Sequence, residues 1–145
     1  MPSHLDNKET MQELLGLLEQ LGKKIKNRMV MPQFEHPLST GHVFLLMNVY
    51  QDKMCKASDI VAKLGVTSGA VTGLSDKLVE YGLLQRTRSE EDRRVVHFTL
   101  TDKGLEVAEK LRQDRLQRLA DIFGELEKDD LQMMLDSFRK LNSLL

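Results

Sequence analysis

The sequence contains no tryptophan, one cysteine and three prolines among 145 residues. A lone Cys55 excludes an internal disulfide and fits a reducing, cytoplasmic setting. Prolines at only positions 2, 32 and 37 leave long stretches free to form helix. No apolar run approaches the ~20 residues of a membrane span, so no membrane partner is expected. The polar opening from Met1 to Asp6 does not have the pattern of a signal peptide. Charge of one sign is also lacking: 21 Lys+Arg stand against 22 Asp+Glu, a formal net charge of −1. That excludes coating a polyanion through bulk charge but leaves room for a local basic surface. The expectation is a soluble single domain, able to bury roughly 68–70% of its unfolded surface without a metal or disulfide.

Signatures of catalysis are missing as well. There is no glycine-rich phosphate loop, no Gly-x-Ser-x-Gly and no placeable cysteine–histidine pair. Glu90 and Glu91 fall at a loop tip, where carboxylates are solvated. His4, His36, His42 and His97 are scattered, without His-x-x-x-His or Cys-x-x-Cys spacing, so no metal and no cofactor is expected. The one spatial possibility is His42 meeting Glu35 or His36, and surface or capping roles are the better expectation for these histidines.

What is present is helical periodicity. From about Asn7 to Met29, Met11, Leu14, Leu15, Leu18, Leu21, Ile25 and Met29 recur at the spacing of one helical stripe. Pro32 and Pro37 close that element. Ser39 or Thr40 caps a second helix that is apolar on most of its circumference (Val43, Phe44, Leu46, Met47, Val49, Tyr50), which predicts a buried central position. A short third helix runs from about Ala57 to Leu64 and ends at Gly65. Thr67 or Ser68 caps a fourth that reaches about Tyr81, with Gly82 at the left-handed C-terminal position. The period then changes. Leu83 to Arg88 and Arg94 to Leu100 read as strands of a hairpin around the charged tip Ser89-Glu90-Glu91-Asp92-Arg93. Thr101-Asp102 begins a long helix whose pattern loosens near Asp114 and Arg115. A last helix from about Asp129 carries Leu131, Met134, Leu135, Phe138, Leu141 and Leu145.

Ile60, Val61 and Leu64 before Gly65, then Val66, Val71 and Leu74, have the spacing of a helix-turn-helix. Between them Thr67, Ser68, Gly69 and Thr72 are small and polar, suited to bringing a helix N-terminus against phosphate. The following hairpin places Arg86, Arg88, Arg93 and Arg94 beside it, and an arginine at such a tip can enter a narrow minor groove. Asp92 can orient Arg94 through a charge-assisted bond.

Asp92-Arg93-Arg94 followed by Leu100-Thr101-Asp102-Lys103-Gly104 resembles the wing-to-helix signature of MarR-type transcriptional regulators. Leu38-Ser39, Gly65 to Thr72 and Leu78 to Leu84 resemble that family too, and the likeness covers essentially the whole chain. It implies a fold mainly α with a small β-hairpin wing: a winged helix-turn-helix lobe at about 38–103, flanked by dimerisation helices at about 7–31 and 104–145. It implies a homodimeric repressor, binding double-stranded DNA at a pseudo-palindromic operator and released by a ligand or oxidant. Thr67, Ser68, Gly69, Thr72 and Lys77 would face the major groove or its phosphates. Arg94 and Asp92 would form the wing pair, supported by Arg93, Arg86 and Arg88. Gly73 stands where many relatives carry a long side chain, which shifts the expected readout towards Thr72, neighbouring hydroxyls and DNA shape. Leu14, Leu18, Leu21, Leu131, Leu135, Phe138 and Leu141 are the expected dimer stripes.

The resemblance leaves the signal open. A small lipophilic or aromatic effector would enter a cavity lined by Phe34, Phe44, Met47, Tyr50 and Met54, residues equally expected in an ordinary core. Cys55, near Lys53 and Lys56, is the alternative as a redox sensor; a small semi-buried hydrophobe at a helix start is the plainer expectation. A winged-helix module that binds protein instead of DNA is the remaining rival. From Lys53 to Lys103 there are nine basic and seven acidic residues, a mild excess that favours DNA.

Overall fold

The protein is described here by a computed structural model covering residues 4–145, with side chains from residue 7 onward. Most of the polar opening considered for a signal peptide, and the side chain of His4, therefore lie outside the described residues. Among these, six helices and three strands follow in order: α1 (His4–Arg28), α2 (Thr40–Asp52), β1 (Met54–Lys56), α3 (Ala57–Leu64), α4 (Ser68–Glu80), β2 (Leu84–Arg88), β3 (Val96–Leu100), α5 (Asp102–Phe123) and α6 (Lys128–Leu144). The chain forms two compact units, one of Pro32–Gln113 and one of the segments before and after it. None of the helices described is long and apolar enough to cross a membrane.

In the unit of Pro32–Gln113, α2 is the central helix: Val43, Leu45, Leu46 and Val49 are all buried. Ile60 of α3, Val71 and Leu78 of α4, Leu83, Leu84, Phe98 and the α5 residues Ala108 and Leu111 complete one apolar core. Ser39 caps α2 in a capping box: its hydroxyl accepts from the His42 amide, while its own amide donates to His42 Nδ1 at 3.0 Å. His42 is thus a capping residue, while Glu35 pairs with Lys103 and His36 stacks on Tyr81.

The sheet has a strand the periodicity did not predict. Met54-Cys55-Lys56 pairs antiparallel with β3, Cys55 opposite Phe98, and β2 pairs with the other edge in the order β1-β3-β2. Three residues are too few to show alternation, so β1 is visible only through its partner. Cys55 accordingly lies in a strand, two residues before α3 begins, rather than at the helix start. Lys53, with φ at 64°, turns the chain between α2 and β1.

Helix α4 ends in a Schellman arrangement: the Leu83 amide donates to the Leu78 carbonyl and the Gly82 amide to that of Val79. Gly82 supplies the positive φ of 72° this turn requires. The Thr101 hydroxyl then donates to the Gly82 carbonyl and accepts from the Gly104 amide at 3.0 Å, so one side chain caps α5 and ties it to the end of α4. Helix α5 does not break where its apolar pattern loosens; Asp114 pairs with Arg118 one turn on, at 2.6 Å.

In the other unit the Arg118 guanidinium donates to the Arg28 carbonyl at 3.2 Å. Apolar side chains there stay open. Leu14, Leu18, Leu21, Leu135, Phe138 and Leu141 are all exposed, Leu131 is half-buried, and α6 buries no residue.

Candidate nucleic-acid interface

The α3–turn–α4 element is built by local rules. Gly65 closes α3 with φ at 62°, and its amide donates back to Val61. Thr67 caps α4, its hydroxyl accepting from the Ala70 amide at 3.1 Å. Ile60 and Val71 anchor the two helices in the core, while Val66 in the turn is exposed. The open side of α4 presents Ser68, Gly69, Thr72, Gly73, Asp76 and Lys77. A Cβ on Gly73 would meet nothing within 4 Å, so its smoothness is a matter of the outward face alone.

The Thr72 hydroxyl donates to the Ser68 carbonyl at 2.9 Å. Its proton is engaged, and the residue is exposed, so it can offer a methyl group and an acceptor rather than a donor. Ser75, one turn inward, is buried and satisfied by the Thr72 carbonyl. Lys77 pairs with Glu80 at 3.1 Å on the same helix, which raises its pKa. That pair is exposed on both sides and can open to a phosphate at little cost.

On the wing, Asp92 orients Arg94 as the sequence suggests. Arg94 donates from its amide and from Nε to Asp92 Oδ1, both at 3.1 Å, and from Nη2 to Oδ2 at 3.3 Å. These bonds hold the Asp92 carboxyl below its usual pKa. The Arg94 side chain is nonetheless 91% exposed, a fixed cation standing in solvent. Arg88 Nη1 donates to the Arg93 carbonyl at 3.4 Å across the tip, and the Ser89 amide donates to Val95 to close it. Arg86 is placed differently: its Nη1 lies 2.5 Å from Oδ1 of Asp76 on α4. Asp76 escaped the sequence reading, since nothing local marks an acid ten residues before its partner. Between α3, α4 and the sheet lies a cleft of about 600 Å³, reached by Ser68, Thr72, Arg86 and Arg88.

The residues expected to line an effector cavity do not gather there. Phe34, Met47 and Tyr50 pack against the core, Phe44 is half-buried, and Met54 is exposed on the edge strand β1. Tyr50 borders another small cavity, of about 190 Å³, beside Lys53 and Leu105. Phe34 also lies under the Lys110 ammonium, 5.4 Å from the ring centre.

Cys55 is buried, its Sγ 3.5 Å from the Asn48 carbonyl and 3.7 Å from Asp52. Burial pushes the thiol pKa up, and the Asp52 carboxylate adds to it. The cation near this thiol is Lys63, itself paired with Asp52 at 3.2 Å, and not Lys53 or Lys56. No group of three His, Cys, Asp or Glu that could hold a metal ion occurs among the described residues.

Helix-turn-helix and wing together define a winged helix-turn-helix protein, and comparison with known proteins finds similar chains. Residues 38–96 match the model of the MarR family. Over 123 residues the chain is 27% identical to the uncharacterized HTH-type transcriptional regulator YwhA of Bacillus subtilis, covering 83% of this chain and 88% of that one. A MarR family protein from Bacillus stearothermophilus has the same fold, with a TM-score of 0.83 at 21% identity over 94% of this chain and 95% of that one. FabT of Streptococcus pneumoniae, solved in complex with DNA, is similar at a TM-score of 0.72 and 22% identity, covering 94% and 96%.

Proposed function

We propose that this protein is a sequence-specific DNA-binding transcriptional regulator of the cytoplasm, acting as a homodimer on a pseudo-palindromic operator and repressing by occupying it. The observation that carries the reading is the wing: Arg94, held by Asp92 yet open to solvent, stands beside a helix whose exposed first turns bear only small residues. Small residues let α4 approach a major groove closely, with Thr67, Ser68, Gly69, Thr72 and Lys77 on bases or phosphates. Arg94 suits the adjacent minor groove, with Arg88 and Arg93 on the flanking backbone. FabT, a protein of this fold, has been solved with DNA.

The exposed apolar side chains of α1 and α6 support pairing of two copies: Leu14, Leu18 and Leu21 on one helix, Leu135, Phe138 and Leu141 on the other. In this reading residues 7–31 and 104–145 serve the dimer and residues 38–103 read DNA. Two-fold symmetry sets two α4 helices about one helical turn, ~10 bp, apart. An effector that favours another spacing lowers affinity by its difference in binding to the two states; a small lipophilic or aromatic molecule is the class we favour. Buried Cys55, with its raised pKa, gives no support to the redox alternative.

The test is anisotropy with DNA enriched from a random pool, read across a salt series, beside sedimentation of the free protein. An enriched palindrome bound by a dimer, with log affinity falling linearly in log salt, is the expected result. A protein that enriches no sequence would overturn the reading.

A further inference from the structure

Asp76 is an acid on the exposed side of α4, one helical turn beyond Thr72, and therefore on the face that would meet DNA. A free carboxylate there would repel phosphate. It is not free: Arg86, in the middle of β2, reaches across to it at 2.5 Å. Both side chains are partly open, Arg86 at 37% and Asp76 at 54%. The pair joins the helix that would lie in the major groove to the strand that carries the wing.

We infer that Asp76 is a positioning residue: through Arg86 it fixes the angle between α4 and the wing, and Arg86 serves this bolt rather than a phosphate. The inference rests on the reading of α4 and the wing as the DNA-contacting elements. Helix and strand are already joined at one end by the Schellman turn at Gly82. Leu84 and Phe98 hold the base of the sheet in the core with Leu78; Arg86 and Asp76 add a polar contact farther out, six residues back from Gly82 on the helix, that limits how far the wing can swing. The lever is long. Five residues of strand extend about 17 Å, so a swing of about 10° moves the far end by about 3 Å. That displacement exceeds the tolerance of a guanidinium hydrogen bond, so Arg94 would miss its groove while α4 stayed in place.

The bolt and simple electrostatics predict opposite signs. Asp76→Asn removes a negative charge from the DNA face, and charge alone makes every DNA bind more tightly. With the bolt, the selected operator is bound more weakly by roughly two- to fivefold, the range for a partly exposed ion pair, while random DNA is bound as well as before or better. The ratio of specific to non-specific affinity falls. The charge-reversed double variant Asp76→Arg with Arg86→Asp restores much of that ratio. In the double variant Asp76→Asn with Arg86→Gln, the salt slope stays at the wild-type value; a phosphate contact by Arg86 would lower it by about one.

Hydrogen exchange without DNA provides a second readout. Amides of Leu84–Arg88 and Val96–Leu100 exchange faster in Asp76→Asn, and the charge reversal slows them again. Equal tightening on operator and random DNA, or exchange identical to wild type in Asp76→Asn, would overturn the bolt. If the wild-type chain selects no DNA site, the regulator reading fails, and exchange alone then decides whether Asp76 and Arg86 hold the wing.

Discussion

Gly104 lies against Leu83 so closely that a Cβ on it would stand 1.9 Å from the Leu83 carbonyl oxygen. The atom in the way is backbone and already accepts from the Thr101 amide at 3.2 Å, so it cannot simply turn aside. Gly104→Ala must push α5 off the start of the wing. We expect a loss of about 1–3 kcal/mol or more, typical of overpacking, seen as a lower denaturant midpoint at unchanged slope. Wild-type stability would refute the close approach.

Arg94→Ala should weaken operator binding and reduce the salt slope, since it removes a cation placed towards DNA. Asp92→Asn keeps that cation but loosens its aim, so specific binding should suffer more than binding to random DNA. The Asp92 pKa is depressed, so the bond is complete above the ordinary value of 3.8 and is lost only as pH falls through a still lower value. Affinity measured around neutral pH should therefore show no titration from this residue.

At Thr72 the hydroxyl proton is occupied by the Ser68 carbonyl, and the side chain belongs to an exposed residue. Thr72→Ala should change which base is preferred at one operator position, by about 1 kcal/mol of discrimination, and leave the salt slope alone. Thr72→Val, which keeps a methyl there, should retain more of the preference. A panel of single-base operator variants reads both, and an unchanged profile in Thr72→Ala would remove the residue from the contact surface.

His42 accepts through Nδ1 from the Ser39 amide, and burial, with nearby Lys77 adding to it, lowers its pKa. The folded chain thus binds this proton less readily than the unfolded one. The contribution is fully present above the ordinary value of 6.5 and declines as pH falls through it towards the lower folded value. Stability should drop on mild acidification. His42→Gln, which preserves a capping acceptor, should flatten that part of the profile.

Cys55 should react slowly with alkylating reagents at neutral pH and leave DNA affinity unchanged under peroxide. Its thiol is buried and its pKa is raised by that burial and by Asp52. Loss of binding in peroxide that Cys55→Ser prevents would reverse this and revive the redox route.

Much of the architecture is legible in the chain before folding. The Ser39 and Thr67 caps, the Gly65 and Gly82 terminators and the apolar stripe of α2 each depend on residues within a turn or two. The Asp92–Arg94 bond spans only two positions. A surface or capping role for His42 is likewise the expectation from its lack of ligand spacing, and the Ser39 geometry makes it a cap. Of Phe34, Phe44, Met47, Tyr50 and Met54, three pack against the core, Phe44 is half-buried and Met54 is exposed, a division that composition does not mark because it cannot say which side of an element faces the core.

The order of elements, their ends and the helix-turn-helix with its charged wing thus follow from the chain alone, because periodicity, caps and turns act over short range. That Met54-Cys55-Lys56 joins the sheet, that burial and Asp52 raise the thiol pKa, and that Asp76 takes Arg86 across two elements emerges only once the elements pack together. Those pairings depend on the angle at which separate elements meet, and core packing sets that angle without leaving a repeat in the chain.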